Sequence, residues 1–205
     1  MMTFGKPGRP PEDRLTRQCE IYEAVTPLLL TLGVRQLSMQ QAAKAACLSL
    51  GSLCQYFPTK RELALYGLDI TAQTRLCDEY HERIRSVRAL GVRGYSDCYV
   101  EHSVRMMGFM RPAVQAALDL RANNFRAALD SGLNAHIAEL LDALRLLSPQ
   151  ADEESLEGLA RGVRRVMYGA LFDRIFDPDE LQEQLRALLA GYLSHVEQLQ
   201  PATIG

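Results

Sequence analysis

The chain has 205 residues, 47% of them hydrophobic and 23% charged, which is enough to bury the core of one or two ordinary globular domains. No apolar run approaches the ~18 residues of a membrane span, and no apolar leader opens the chain, so the sequence points to a cytoplasmic protein without membrane association. The five cysteines, Cys19, Cys47, Cys54, Cys77 and Cys98, are odd in number and lack CxxC spacing, which argues against a disulfide framework or a zinc site. They read as buried or half-buried packing thiols in a reducing compartment. The net charge of −2 conceals an asymmetry. Residues 1–61 hold eight Lys or Arg against four Asp or Glu, and the rest hold fifteen against twenty-one. A basic head on an acidic body suggests a polyanionic partner for the head alone.

In chain order, residues 1–11 are rich in Pro and Gly and carry Lys6 and Arg9, a composition suited to a flexible arm. Ile21, Val25, Leu28, Leu29 and Leu32 recur at helical spacing and form one apolar face. Gly33 follows as a stop, and Pro27 inside the helix is expected to kink it. Ser38 to Gln41 has the spacing of a capping box and opens a short helix to about Ala46. Cys47 and Leu48 form a turn. Ser49 caps a second short helix, about Leu50 to Phe57, and Pro58 ends it. Thr59 to Glu62 is another capping box, starting a helix expected to run to about Val87. Residues 89–94 read as a connection. About five further helical patterns follow, with breaks expected at Arg111-Pro112, Asn123-Asn124, Ser148-Pro149 and Asp177-Pro178-Asp179. There is no strand alternation, so the fold class is all-α.

Two short helices joined by a tight turn make a helix-turn-helix, the shape that lets a braced helix enter the major groove. The second helix carries short residues, Ser49, Gly51 and Ser52, on its early turns, which permits close approach to phosphates and bases. Gln55 has the amide that pairs with adenine at two points. Tyr56 can donate to a phosphate, and Lys60 adds a charge at the start of the next helix. Double-stranded DNA is therefore the expected partner.

The run Ser49-x-Gly51-Ser52-Leu53-x-x-Tyr56-Phe57-x-Thr59-Lys60-x-x-Leu63 resembles the recognition-helix signature of the TetR family of bacterial transcriptional regulators. The resemblance extends back through Ala42-Ala43, Ser38 and Gly33 to the first apolar helix, and covers about the first 65 residues. It implies a three-helix DNA-binding domain over residues 1–62 and a helical domain over 63–205 that binds an effector and forms a homodimer. It also implies DNA contacts from Ser38, Ser49, Gly51, Ser52, Gln55, Tyr56 and Lys60, and from Arg9 in a Gly-Arg-Pro arm. Three positions depart from the family pattern. The turn glycine is Cys47, the aromatic after the motif leucine is Cys54, and a frequent cation between serine and glycine is Leu50. Together they suggest weaker electrostatic anchoring of the recognition helix, or more reliance on the arm.

The all-α remainder, of suitable length, agrees with the family but adds little alone. Tyr95, Tyr99, His102, Met106 and Phe109 mix apolar and polar groups on one helix, as an effector cavity or an ordinary core helix would. Phe125, Met167 and Leu171 are the candidates to join them around an unknown, apolar or amphipathic small molecule. The last two helices carry wide apolar stripes that suggest a dimer interface through Leu159, Gly162, Val163, Leu185, Leu189 and Tyr192. Gly158, Gly162 and Gly169 supply notches for close helix approach. Cys47 and Cys54, seven apart, read as packing residues before redox sensors. His136 and Glu139 have a spacing that metal sites use, but no second such pair is visible in the sequence, and the set reads as a solvated face. No metal or cofactor is expected. No nucleophile elbow, Walker loop or dinucleotide fingerprint occurs, so the chain is read as a ligand-released repressor and not an enzyme. The alternatives are an all-helical enzyme and a ligand-independent architectural DNA-binding protein.

Overall fold

The computed structural model describes residues 13–173 and 176–199, and for Glu79, Val87 and residues 197–199 the backbone alone. The described residues are all-helical: α1 (Arg14–Gln36), α2 (Met39–Ala45), α3 (Leu50–Tyr56), α4 (Lys60–Leu65), a 3-10 turn (Tyr66–Leu68), α5 (Ile70–Ile84), α6 (Val87–Asp119), α7 (Phe125–Leu147), α8 (Glu153–Phe172) and α9 (Pro178–Leu199). No strand occurs among them.

Asp13 opens α1, its carboxylate accepting the Leu15 amide at 3.2 Å. Ile21, Tyr22, Val25 and Leu29 bury one face of the helix, and Pro27 sits within it without ending it. Gly33 does end the regular part. Its φ of 71° is a conformation that a side chain would strain, and the chain turns there toward α2. The capping box of α2 forms as its spacing predicts: the Ser38 hydroxyl accepts the Gln41 amide at 3.2 Å, while Gln41 Oε1 accepts the Ser38 amide at 2.9 Å.

Three expectations fail along the next stretch. The helix expected from Thr59 to Val87 is two helices, because the chain tightens into the 3-10 turn at Tyr66–Leu68 and Asp69 caps a fresh helix. Asp69 accepts the Thr71 and Ala72 amides at 2.8 and 3.2 Å. Residues 89–94, expected as a connection, lie within the span of α6, which is interrupted only at Gly91, φ 63°. The expected break at Arg111-Pro112 is absent. Pro112 forfeits one backbone hydrogen bond, but Met110, Ala113 and Val114 around it are fully buried, and that packing carries the helix through.

The remaining boundaries fall where expected. α6 closes with the Ala122 amide bonded to the Ala117 carbonyl at 2.9 Å and the Arg121 amide to Leu118 at 3.1 Å, with Arg121 left-handed. Asn124, also left-handed, starts α7. Asp152 caps α8 through the Ser155 amide at 2.8 Å. α6 is the central element, packed against α1, α4, α5, α7, α8 and α9.

Candidate nucleic-acid interface

The α2–α3 unit is built on Leu37, Ala42, Ala43, Leu53 and Phe57, all buried. The small Ala42-Ala43 pair allows the helices to approach closely. The turn between them is a Schellman closure: the Leu48 amide reaches the Ala43 carbonyl at 2.8 Å and the Cys47 amide reaches Lys44 at 3.1 Å. Cys47 takes the left-handed position, φ 55°, normally filled by glycine. The tight turn therefore forms despite its unusual residue.

Burying Leu53 and Phe57 turns the opposite face of α3 outward. Ser49, Leu50, Gly51, Cys54 and Gln55 are exposed, and Ser52 is half-buried. The Ser49 hydroxyl accepts the Ser52 amide at 3.0 Å, and the two hydroxyls lie 2.8 Å apart. One of the two hydroxyl protons is thus shared between them, and the other can be donated outward. The packing role expected of Cys47 and Cys54 is not what the fold gives them, since both thiols are exposed. Arg9 and its arm lie outside the described residues.

Two anchors of the head connect residues too distant in the chain to be read from local pattern. Arg14 donates to the Gln55 carbonyl at 2.8 Å, with its guanidinium 5.8 Å from the centre of the Tyr56 ring, and Gln18 donates to the Tyr56 carbonyl at 3.0 Å. Arg14 and Gln18 are one turn apart on α1, and together they cap the carbonyl end of α3. Lys60 does the same for the turn after α1: its ammonium donates to the Leu37 carbonyl at 2.9 Å and to Arg35 at 3.2 Å. Two of its three donors are thereby used within the protein.

Behind the head stands an aromatic wedge. Phe57 at the end of α3 meets Tyr66 edge-on at 5.1 Å. Tyr66 meets Tyr22 at 5.7 Å, and Tyr22 meets Phe109 of α6 at 4.9 Å. Phe109 therefore belongs to the junction of head and body, apart from the other side chains expected to line an effector cavity. Gln73 of α5 continues the contact chain, donating to the Gly67 carbonyl at 3.1 Å and packing against Gly132 of α7.

Tyr95, Tyr99, His102, Met106, Met167 and Leu171 are buried, and they are packed against their neighbours. Tyr99 stacks on His136 at 4.5 Å and Tyr80 on His102 at 4.4 Å. The Ser103 hydroxyl stands 2.8 Å from His136 Nε2, and the Tyr80 hydroxyl donates to that of Tyr95 at 3.0 Å. Burial holds His136 well below the usual imidazole range, with His102 and His81 nearby adding to the effect. It lowers His102 to about 4, again aided by His81 and also by Arg105. Both rings are neutral at pH 7. Phe125 instead lines a cleft of about 580 Å³ between the head and the start of α7, with Tyr56, Arg61 and Leu65 on its other side.

The side chains expected to pair two subunits face inward. Leu159, Val163, Leu185, Leu189 and Tyr192 are buried in the packing of the single chain. A β-carbon at Gly162 would lie 3.1 Å from Leu188 of the same chain, so that notch is occupied by α9. The open surface of α8 and α9 carries Gly169 and Gly191, around which nothing lies within 4 Å of a β-carbon, and the stacked pair Tyr168–Phe172. No helix among the described residues is long and apolar enough to cross a membrane.

Neither a known protein-family profile nor a curated protein sequence matches the chain. Solved structures do. PfmR, a TetR-family transcriptional regulator from Thermus thermophilus, superposes with a TM-score of 0.58 at 22% identity, covering 85% of this chain and 97% of its own. SCO4454, a TetR-family transcriptional regulator from Streptomyces coelicolor, gives 0.56 at 18% identity over 90% and 99%. GusR of Salmonella enterica gives 0.55 at 19% identity over 93% and 98%. With its capped helix-turn-helix, its aromatic junction and its all-helical body, the chain has the fold of the TetR-family transcriptional regulators.

Proposed function

We propose that this protein is a cytoplasmic, sequence-specific DNA-binding regulator of the TetR family. It acts as a homodimeric repressor released by a small-molecule effector, and not as an enzyme. Residues 1–62 form the DNA-binding head and residues 63–205 the body. The observation that carries this reading is the outward face of α3, where Ser49, Gly51, Ser52 and Gln55 stand opposite the buried Leu53 and Phe57. A helix held so by its neighbours presents short and amide side chains together to a groove.

On this reading affinity comes mainly from phosphate contacts, and base preference from Gln55 and the two serines. The third donor of Lys60 and the Tyr56 hydroxyl are the phosphate partners on α3 and α4. Two subunits pair through the open faces of α8 and α9, placing two copies of α3 over half-sites about one helical turn, ~34–36 Å, or a multiple apart. The effector favours a state in which that spacing is wrong, and its differential affinity for the two states sets the response.

The test is retardation of the DNA upstream of the protein's own reading frame, against random DNA of the same length. Specific retardation that weakens with salt supports the reading. Equal binding to both DNAs points to an architectural protein, and no binding to either rejects it.

A further inference from the structure

The outward face of α3 carries more than its serines and Gln55. The helix runs Leu-Gly-Ser-Leu-Cys-Gln-Tyr, and none of these residues is charged. Leu50 is 41% exposed, and the thiol of Cys54, one turn on, is exposed as well. Residues four apart on a helix lie in line, so Leu50 and Cys54 make one short row and Gly51 and Gln55 the row beside it. Ser52 lies beyond the second row, on the half-buried flank. The outward face is thus apolar along one side, with an amide next to it. Single apolar side chains are common on protein surfaces, and Leu30, Ile70, Leu118, Leu146 and Phe172 are such cases here. Leu50 differs from those five in sharing the outward face of α3 with Gln55.

Given that α3 enters the major groove, as proposed above, we infer that Leu50, with Cys54 behind it, seats against the C5-methyl group of a thymine and so selects T·A at one position of each half-site. In the major groove each base calls for a different side chain. Guanine takes Arg or Lys, the cytosine amino group takes Asp or Glu, adenine takes Asn or Gln, and the thymine methyl takes an apolar surface. α3 holds no side chain of the guanine or cytosine kind, and holds one each for adenine and thymine in neighbouring rows. Contact with the methyl covers part of the Leu50 surface that the free protein leaves in water, and it desolvates no charge. The same surface disfavours cytosine, which offers hydrogen at C5 and an amino donor that leucine leaves without an acceptor.

The test begins by using the full chain, under reducing conditions, to select its preferred duplex from random DNA. Each thymine of the selected half-site is then replaced in turn by deoxyuridine, which keeps every hydrogen-bonding group and removes only the methyl. One such exchange per half-site should weaken binding about fourfold, the size expected for one buried methyl group. Leu50→Ala trims an exposed side chain, so its melting should match the parent's, and it should bind the thymine and deoxyuridine duplexes alike at that position. Leu50→Ser should erase the methyl effect in the same way, so either variant decides if the other does not fold. If no deoxyuridine exchange matters, or if the variants keep the parent's sensitivity to the methyl, this inference fails and the regulatory reading stands. If selection returns no preferred duplex, that reading fails and the inference with it.

Discussion

Gly67 lies directly against the Phe109 backbone: a β-carbon on Gly67 would stand 2.5 Å from the Phe109 carbonyl oxygen and 2.6 Å from the Tyr22 hydroxyl. The 3-10 turn between head and body is thus pressed onto α6 at a point where only hydrogen fits. Gly67→Ala forces α6 and the turn apart. It is expected to cost about 1–3 kcal/mol of stability by overpacking, measured by urea unfolding. Operator affinity should fall with it, since Phe57 and Tyr66 move together. A variant of parental stability would show that the turn yields freely.

Gln55 and Lys60 should separate base reading from anchoring. Gln55→Ala is expected to cost about 1–3 kcal/mol, concentrated at one base position per half-site, and to leave stability unchanged because the side chain is exposed. Lys60→Ala should weaken binding to operator and random DNA alike and lower the salt slope by about 0.9. It should also cost about 1 kcal/mol of stability, since the Leu37 and Arg35 carbonyls lose their donor. Affinity against salt, paired with urea unfolding, reads both. An unchanged slope with lowered stability would leave Lys60 as a cap alone.

For subunit pairing, the informative positions are the open glycines. A β-carbon at Gly169 or Gly191 meets nothing within 4 Å, and exchanging a helical glycine gains up to ~1 kcal/mol of helix propensity, so Gly169→Arg and Gly191→Arg should fold. Each should yield a folded monomer by sedimentation, with operator binding lost. Gly162→Arg should instead lower the melting temperature, because its side chain enters the space of Leu188. Dimers that survive arginine at both open positions would move the interface to another face.

Acid should weaken the fold through the buried histidines. His102 and His136 titrate in the folded state below their unfolded value near 6.5, His102 at about 4. Between those values the unfolded chain takes up protons that the native chain refuses, so stability is full above pH ~6.5 and falls as pH drops. Each such histidine adds up to ~1.4 kcal/mol per pH unit to the slope. His136→Phe, which keeps a ring stacked on Tyr99, should flatten the pH dependence of urea midpoints between pH 6 and 4.5. An unaltered slope would show that His136 is not among the groups refusing protons.

The head was the most legible part of the chain, because its signals are local. Ser38, Ser49 and Thr59 cap within three residues of themselves, and Leu53 and Phe57 mark the inner face by spacing alone. The caps on α3 were not legible, since Arg14 and Gln18 reach carbonyls 41 and 38 residues away. Pro112 misled for a related reason. A proline signals a break unless surrounding packing outweighs one lost hydrogen bond, and that packing comes from other helices. The stripes of α8 and α9 suggested a dimer interface, but periodicity does not say which partner covers an apolar face, and α6 and the two helices themselves bury Leu159, Val163, Leu185, Leu189 and Tyr192 within the single chain. The contacts of His102 and His136 were not legible because they cross between α5, α6 and α7.

The left-handed turn at Cys47 has a practical consequence for handling this protein. An ordinary residue held at φ 55° costs roughly 1–2 kcal/mol that glycine would not. The usual rule, that trimming a side chain weakens a fold, reverses at this position. Cys47→Gly removes an exposed thiol open to air oxidation and intermolecular crosslinking, and it relaxes the backbone in the same stroke. The exchange should therefore give a preparation that keeps better and melts later.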